Sequence, residues 1–247
     1  MTVPAERAEA ARAAMIELFP EGFEEREAGG AVELAAYSAR DDAAAALSEL
    51  GPVSGLDVAP GWEDGWRRFH RPVRIGPLWI GPPWEAPDAG ALAVVIDPGR
   101  AFGTGAHATT RLCLELLLGL EPAGLVDVGC GSGVIAVAAA KLGFAPVVAL
   151  DDDEAAVDAA ATNAAANDVE VGVRLADALA GRLPEVEVAV ANIARGPVQR
   201  VAARFGGRHL IASGYLEGER PSAGGWRVVE RRTAESWAAD LLVRDPS

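Results

Sequence analysis

An α/β fold, a parallel sheet with helices on its faces, is what this 247-residue sequence predicts, and three observations carry the prediction. Residues 125–128 (Leu-Val-Asp-Val) suit a buried strand and run into Gly129, Gly131 and Gly133, ahead of a helix-compatible stretch over 134–142. The next apolar run, 147–150, ends on Asp151. Strand and helix patterns then keep alternating, which is how a parallel sheet is wound.

A strand that turns sharply into a helix exposes backbone N–H groups, and glycine lets a ligand approach them without a Cβ in the way. A carboxylate at the tip of the second strand, here Asp151, can accept from both hydroxyls of a ribose. The spacing separates two ligands. A dinucleotide loop reads G-x-G-x-x-G, whereas here the third glycine comes one residue early and Val134 holds the later position. The D-x-G-x-G-x-G run from Asp127 to Gly133, with an acid about 20 residues on, resembles the adenosylmethionine loop of class I methyltransferases. S-adenosyl-L-methionine, with no metal, is the expected cofactor.

Taken from the amino end, residues 5–19 carry apolar side chains at helical spacing, and 22–28 with 31–37 read as two strands of a hairpin. Asp41 caps a second helix to Leu50, and 53–58 adds a strand. This small α+β unit, helix-strand-strand-helix-strand, lacks an opening strand. Four of the six tryptophans then fall between Trp62 and Trp84, among prolines at 72, 77, 82, 83 and 87. Such a stiff aromatic connector is expected to pack between domains, or else to wall a substrate site. The lone His70 in it reads as structural.

A strand over 92–96 gives way to a segment without periodicity, 97–110, that holds Phe102, Thr104, His107, Thr109 and Thr110 among glycines. Loops this particular seldom exist for packing alone, so a ligand lid is expected. A helix follows over 110–120, where Thr110 caps it, reaches the ligand, or does both. Past the glycine loop, 154–167 reads as a helix and 171–175 as a strand. Asp177 then stands either to accept from an exocyclic amine or to cap a helix. A strand over 186–190 leads to Asn192, which points at the transferable group because ligands in such sheets lie beyond the carboxyl ends of strands. Strands over 209–213, 226–233 and 236–244 complete the sheet, the last two antiparallel.

The net charge of −14 argues against a nucleic-acid groove and suits a basic protein substrate as well as it suits plain solubility. Cys113 and Cys130, far apart, suggest neither a disulfide framework nor a zinc site. Acids stand where a signal peptide would be apolar, and no apolar run approaches the roughly 18 residues of a membrane span. A cytoplasmic protein, monomeric and without membrane contact, is expected.

Together Phe102-Gly103-Thr104-Gly105, His107, Thr109-Thr110, the loop from Asp127 to Gly133, Asp151, Ala191-Asn192-Ile193 and Gly196-Pro197 resemble the ribosomal protein L-eleven methyltransferases (PrmA-like). The connector agrees through Trp62, Trp66, Phe69-His70, Leu78-Trp79-Ile80 and Trp84, so the resemblance runs from about residue 62 to residue 244. It implies a Rossmann-like class I methyltransferase sheet of seven strands behind a small α+β, ferredoxin-like and here shortened, amino-terminal domain. The expected layout is a substrate-recognition domain over 1–59, a connector over 60–90 and the methyltransferase domain over 91–247. By position, Thr110, Gly129, Asp151 and Asn192 match residues of that family that contact adenosylmethionine, and Phe102, Thr104, Asp127, Gly131, Gly133 and Asp177 complete the expected cofactor set. The implied activity is methylation of lysine side chains and the N-terminal amine of one large-subunit ribosomal protein. The compressed stretch 215–220 leaves little room for the last helix of the sheet.

Asn192 is the expected orienting group for the amine, Phe102 the cover of the site, and His107 a holder of the loop or a proton relay. The rival readings are a nicotinamide-dependent oxidoreductase, a non-catalytic nucleoside-binding module, and the same chemistry on another protein or a small-molecule amine.

Overall fold

The computed structural model describes residues 1–4, 7–8, 11, 14–15, 18, 24–28, 31–36, 47–48, 50–54, 71–97, 105–221 and 223–245. The chain divides into two compact units, Met1–Trp62 and Glu63–Ser247. The first holds an antiparallel sheet of β1 (Thr2–Pro4), β2 (Glu24–Ala28) and β3 (Ala31–Ala35), in the order β1-β3-β2. The expected hairpin is β2 and β3, and the opening strand that the sequence reading omits is present as β1. Three residues ending in proline are too few to show a period of two, and only pairing with β3 (Val3 opposite Val32) makes them a strand. On the other flank of β1, Thr2 N–H donates to Pro52 O at 3.2 Å, just ahead of the strand expected over 53–58. Val53 and Ser54 carry no strand, and 55–58 lie outside the described residues. Ala8, Ala11 and Met15, helical and spaced by three or four, are buried with Val3, Val32, Leu34 and Leu47.

The second unit opens with β4 (Val73–Ile75), β5 (Leu78–Gly81) and β6 (Leu92–Val95), a small sheet in that order. All four residues of β5 are buried, and the Trp79 ring lies where a Cβ on Gly81 would stand 2.5 Å away. Trp79 is thus buried, on a strand that belongs to the second unit. Trp62, Trp66 and His70 lie outside the described residues.

The remaining elements alternate as expected: α1 (Ala108–Leu117), β7 (Leu125–Val128), α2 (Val134–Lys141), β8 (Val147–Asp151), α3 (Glu154–Ala166), β9 (Gly172–Leu175), β10 (Val188–Asn192), α4 (Arg195–Arg204), β11 (His209–Leu216), β12 (Trp226–Ala234) and β13 (Trp237–Arg244). Seven strands form one sheet in the order β12-β13-β11-β10-β7-β8-β9, parallel except where β13 meets β11 and β12. Alternate residues feed two cores. Leu125, Val147, Val188, Val190 and Ile211 face one side, with α1, α2 and α3, whereas Val126, Val128, Val148, Leu150, Ala189 and Leu210 face α4 on the other. Burial on both faces is why these strands read as unbroken apolar runs. β10 ends two residues later than expected because its register against β7 starts at Val188, opposite Leu125. Pro197 falls in the first turn of α4, where a missing N–H leaves no helical bond unmade. Among the described residues of 217–225 there is no helix, in line with the compressed sequence there. Among the described residues no helix is long and apolar enough to cross a membrane.

Candidate functional site: a crevice at the carboxyl ends of β7 and β10

The sheet order reverses between β7 and β10. The chain leaves β7 through α2 toward β8 on one side, and leaves β10 through α4 toward β11 on the other. Because α2 and α4 cover opposite faces, a crevice opens beyond the carboxyl ends of these two strands. Asp151 ends β8 and Asn192 ends β10, with the glycine loop between them.

That loop is more closed than the sequence suggests. Gly129 and Cys130 N–H both donate to Leu150 O (2.8 and 3.1 Å), and Gly133 N–H to Cys130 O (2.8 Å). Gly131 N–H donates to Asp151 Oδ2 at 2.9 Å. The expected bare donors are thus held by the neighbouring strand and its terminal acid, and the loop has not kept the row of free N–H groups that a diphosphate needs. Two glycines are required for packing as well as for conformation. Gly129 (φ 69°) has no room for a Cβ, which would lie 2.4 Å from Ile193 Cγ2, and Gly133 (φ 78°) would bring one to 2.9 Å from Ala160 Cβ on α3.

Three acids of the expected cofactor set have three different settings. Asp151 is half-buried; its Oδ2 accepts from Gly131 and its Oδ1 from Asp153 N–H (3.1 Å), so each oxygen keeps a lone pair for a diol. Asp177 is exposed and its Oδ1 accepts from Leu179 and Ala180 N–H (2.8 and 3.2 Å), closing a turn over 178–180 where the sequence reading allowed a helix cap or an amine contact. Asp127 is 1% exposed and its Oδ2 accepts from Ala136 N–H at 3.1 Å, tying β7 to α2 beneath the loop. It is thus placed under the glycine loop rather than on the crevice.

Burial pushes the Asp127 carboxyl up from 3.8 to about 7, against the opposing pull of the Ala136 bond and with a further push from the Asp151 charge. A folded pKa above the unfolded one means the native state holds the extra proton between those values. The contribution to stability is complete below about pH 4 and is lost as pH rises through 7. Asp127→Asn removes this dependence while keeping an acceptor for Ala136. Between pH 5 and pH 8 the variant is expected to gain on the wild type by on the order of 2 kcal/mol, read as several degrees in paired thermal melts. An unchanged gap would remove the buried acid from this account. The Cys130 thiol, 6% exposed in the same loop, is pushed up by burial and by Asp127 and Asp151, and stays protonated.

On the opposite wall, α1 starts at Ala108, two residues earlier than expected, because His107 is its cap: Nδ1 accepts from the Thr109 hydroxyl (2.8 Å) and N–H (3.3 Å). The imidazole also meets the Trp237 ring edge-on at 5.2 Å, so its surroundings are those of a loop holder. Thr110, 2% exposed, is not the cap; its hydroxyl accepts from Asn192 Nδ2 at 3.4 Å and so links α1 to the tip of β10. Phe102 and Thr104 lie outside the described residues. The peptide that follows Asn192 is clamped, with Ile193 between Gly129 and Gly214, where a Cβ would fall 2.1 Å from Ile193 O.

Sequence reasoning passes over Gly214 and the two buried asparagines of the α3 face, Asn163 and Asn167, 2% and 4% exposed. The available signal was polar residues at helical spacing on a stripe of alanines (Ala156, Ala160, Ala164). Among the described residues no group of three or more His, Cys, Asp or Glu is gathered to hold a metal ion. A cavity of about 1350 Å3 opens at the other end of the strands, between the residues that precede β7, β8, β10 and β11. Its arginines tie loops together: Arg204 donates to Ala180 O (2.6 Å) and Gly181 O, and Arg244 to Gly207 O (3.0 Å) and Phe205 O. None of the residues assigned to the crevice lines it.

The family model described as ribosomal protein L11 methyltransferase (PrmA) matches residues 39–239. A ribosomal protein L11 methyltransferase of Symbiobacterium thermophilum is 42% identical over 200 residues, covering 74% of this chain and 66% of that one. One of Shewanella amazonensis is 47% identical over 152 residues, covering 57% and 50%. The matched stretch thus spans between half and two thirds of the length of these curated relatives. Among solved structures, a ribosomal protein L11 methylase from Lactobacillus delbrueckii subsp. bulgaricus superposes with a TM-score of 0.64 at 27% identity, covering 72% of this chain and all of that one. With its family model matched over most of its length, the chain belongs to the ribosomal protein L11 methyltransferase (PrmA) family.

Proposed function

We propose that the chain is an S-adenosyl-L-methionine-dependent protein N-methyltransferase that acts on lysine side chains, the N-terminal amine, or both, of ribosomal protein L11. The observation that carries this reading is the pairing of an anchored carboxylate with a neutral amide across one crevice. Asp151, tied to Gly131, offers two remaining lone pairs to a diol, and Asn192 stands across the glycine loop at the tip of β10. The donor set fits a nucleoside without a diphosphate, since the loop N–H groups are bonded internally.

Adenosylmethionine supplies a methyl group already activated on a positively charged sulfur. The remaining task is to present a neutral amine in line. At pH 7 deprotonating a lysine amine near 10.4 costs roughly 4.6 kcal/mol, and an α-amine near 8 about 1.4 kcal/mol. Asn192 orients the amine as a neutral acceptor, where a carboxylate would hold the ammonium form in place. Asp151 holds the ribose, Gly129 and Gly131 form the close wall, Gly133 seats the loop on α3, and Asp127 supports it from below. Thr110 sets the Asn192 amide, and His107 holds the start of α1. Asp177 bounds the base side; Phe102, as the cover of the site, and Thr104, in the cofactor set, keep the roles expected from sequence. The unit over 1–59 recognises the protein substrate and 91–247 carries out transfer, with β4 and β5 of the expected connector 60–90 built into the second unit.

Asp151→Ala is expected to weaken adenosylhomocysteine binding at least 100-fold, because two charge-assisted hydrogen bonds to the ribose are lost, each worth about 1.5–3 kcal/mol. Isothermal titration checks this, and binding within threefold of wild type would exclude the assigned role. The reading as a whole is tested by incubating the protein with methyl-labelled adenosylmethionine and total ribosomal proteins. A single labelled band that mass spectrometry assigns to L11, methylated on amines, is the expected result. No labelled protein, or saturable NADH binding in its place, would overturn it.

A further inference from the structure

We infer that Asn163 is a positioning residue for the nucleoside crevice, its buried amide locking the glycine loop to the point where the chain leaves β6. Among the described residues β6 is an edge strand that pairs with β5 alone, and Ile96 N–H turns to that side to reach Gly81 O at 2.9 Å. The N–H groups of Val95 and Asp97 therefore face the other way, toward α3. There two asparagines one turn apart do the work of a further strand. Asn167 Oδ1 accepts from Val95 N–H (2.8 Å) and its Nδ2 donates to Val95 O (2.6 Å). Asn163 Oδ1 accepts from Asp97 N–H at 3.0 Å. The match is metric: four residues of helix rise about 6 Å, and two residues of strand advance about 6.6 Å.

The two asparagines differ in what their other amide atoms hold. Besides Val95, Asn167 Nδ2 returns to its own helix, at Asn163 O (2.8 Å). Asn163 Nδ2 instead crosses to Ser132 O at 2.9 Å, inside the glycine loop. Ser132 is fully buried, and the residue before it, Gly131, donates to Asp151. One turn earlier on α3, Ala160 leaves no room for a Cβ on Gly133. α3 thus grips the loop twice, and the Asn163 amide sets how far the loop stands from the carboxylate assigned to the ribose. The inference rests on the reading of the crevice as an adenosylmethionine site.

Asn163→Asp and Asn167→Asp make a matched pair. Each keeps an acceptor for its N–H on β6 or just past it and loses one amide donor, but only the first loses a bond to the loop. Adenosylhomocysteine affinity by titration calorimetry is expected to fall tenfold or more in Asn163→Asp, with KM for the protein amine unchanged. In Asn167→Asp it is expected to stay within twofold, whatever the loss in melting temperature. Should Asn163→Asp fail to fold, Asn163→Ser against Asn167→Ser gives the same comparison. Equal affinities in both variants, or equal losses, would overturn the inference. A wild-type protein that binds no adenosylhomocysteine would instead overturn the reading of the crevice, and this inference with it.

Discussion

Asn192→Ala is expected to lower turnover about 100-fold while adenosylhomocysteine affinity stays within a few-fold of wild type. The side chain ends β10, half-buried, with its Nδ2 turned to the Thr110 hydroxyl, which leaves Oδ1 as the atom available to an amine. Losing one oriented acceptor removes alignment rather than binding energy for the nucleoside, so the loss belongs in kcat. Asn192→Asp separates orientation from charge. A carboxylate there stabilises the ammonium form of the acceptor and so moves the rising limb of the pH–rate profile to higher pH. Rate profiles of the three proteins between pH 6 and pH 10 supply the test. Full turnover in the alanine variant, with cofactor bound normally, would take Asn192 out of the mechanism.

Gly214→Ala carries the largest expected structural effect. Gly214 has φ +94°, interrupts the register of β11 against β13, and would place a Cβ 2.1 Å from Ile193 O. A backbone atom cannot swing aside as a side chain tip can, and the residue behind it is itself pressed against Gly129. The expected loss is about 3 kcal/mol, or roughly 10 °C in melting temperature for a unit of this size. Because Ile193 directly follows Asn192, any protein that still folds is expected to lose turnover as well. Gly218→Ala, at a glycine with open space around it, is the control and is expected to melt with the wild type. Coincident melts for both variants would mean that β11 rearranges freely, against the clamp described here.

Both results depend on contacts between elements distant in sequence, and this marks where the sequence reading ran out. The glycine loop, Asp151 and Asn192 were legible because their signals are local: a strand run, a glycine spacing, an acid or amide at a strand tip. The seven strands were legible because a sheet covered on both faces writes itself as apolar runs. β1 was not, since three residues become a strand only against β3. The start of α1 was missed because a histidine serves as its cap in place of the threonine nearest the helix pattern. Asp127 counted as a ligand contact until its bond to Ala136 put it under the loop. Asn163 carried no signal of its own within an alanine-rich helix.

Read alone, then, the amino-acid order determines the α/β winding, the class of loop at residue 129, and the residues that stand at two strand tips, Asp151 and Asn192. It can do so because side-chain period and glycine spacing are properties of short stretches. Which donors remain free, which acid faces solvent and which glycine lacks space were decided only by the folded chain. Those properties depend on what lies across the gap, here Leu150, Ala160 and Ile193, and no short stretch contains its own neighbours.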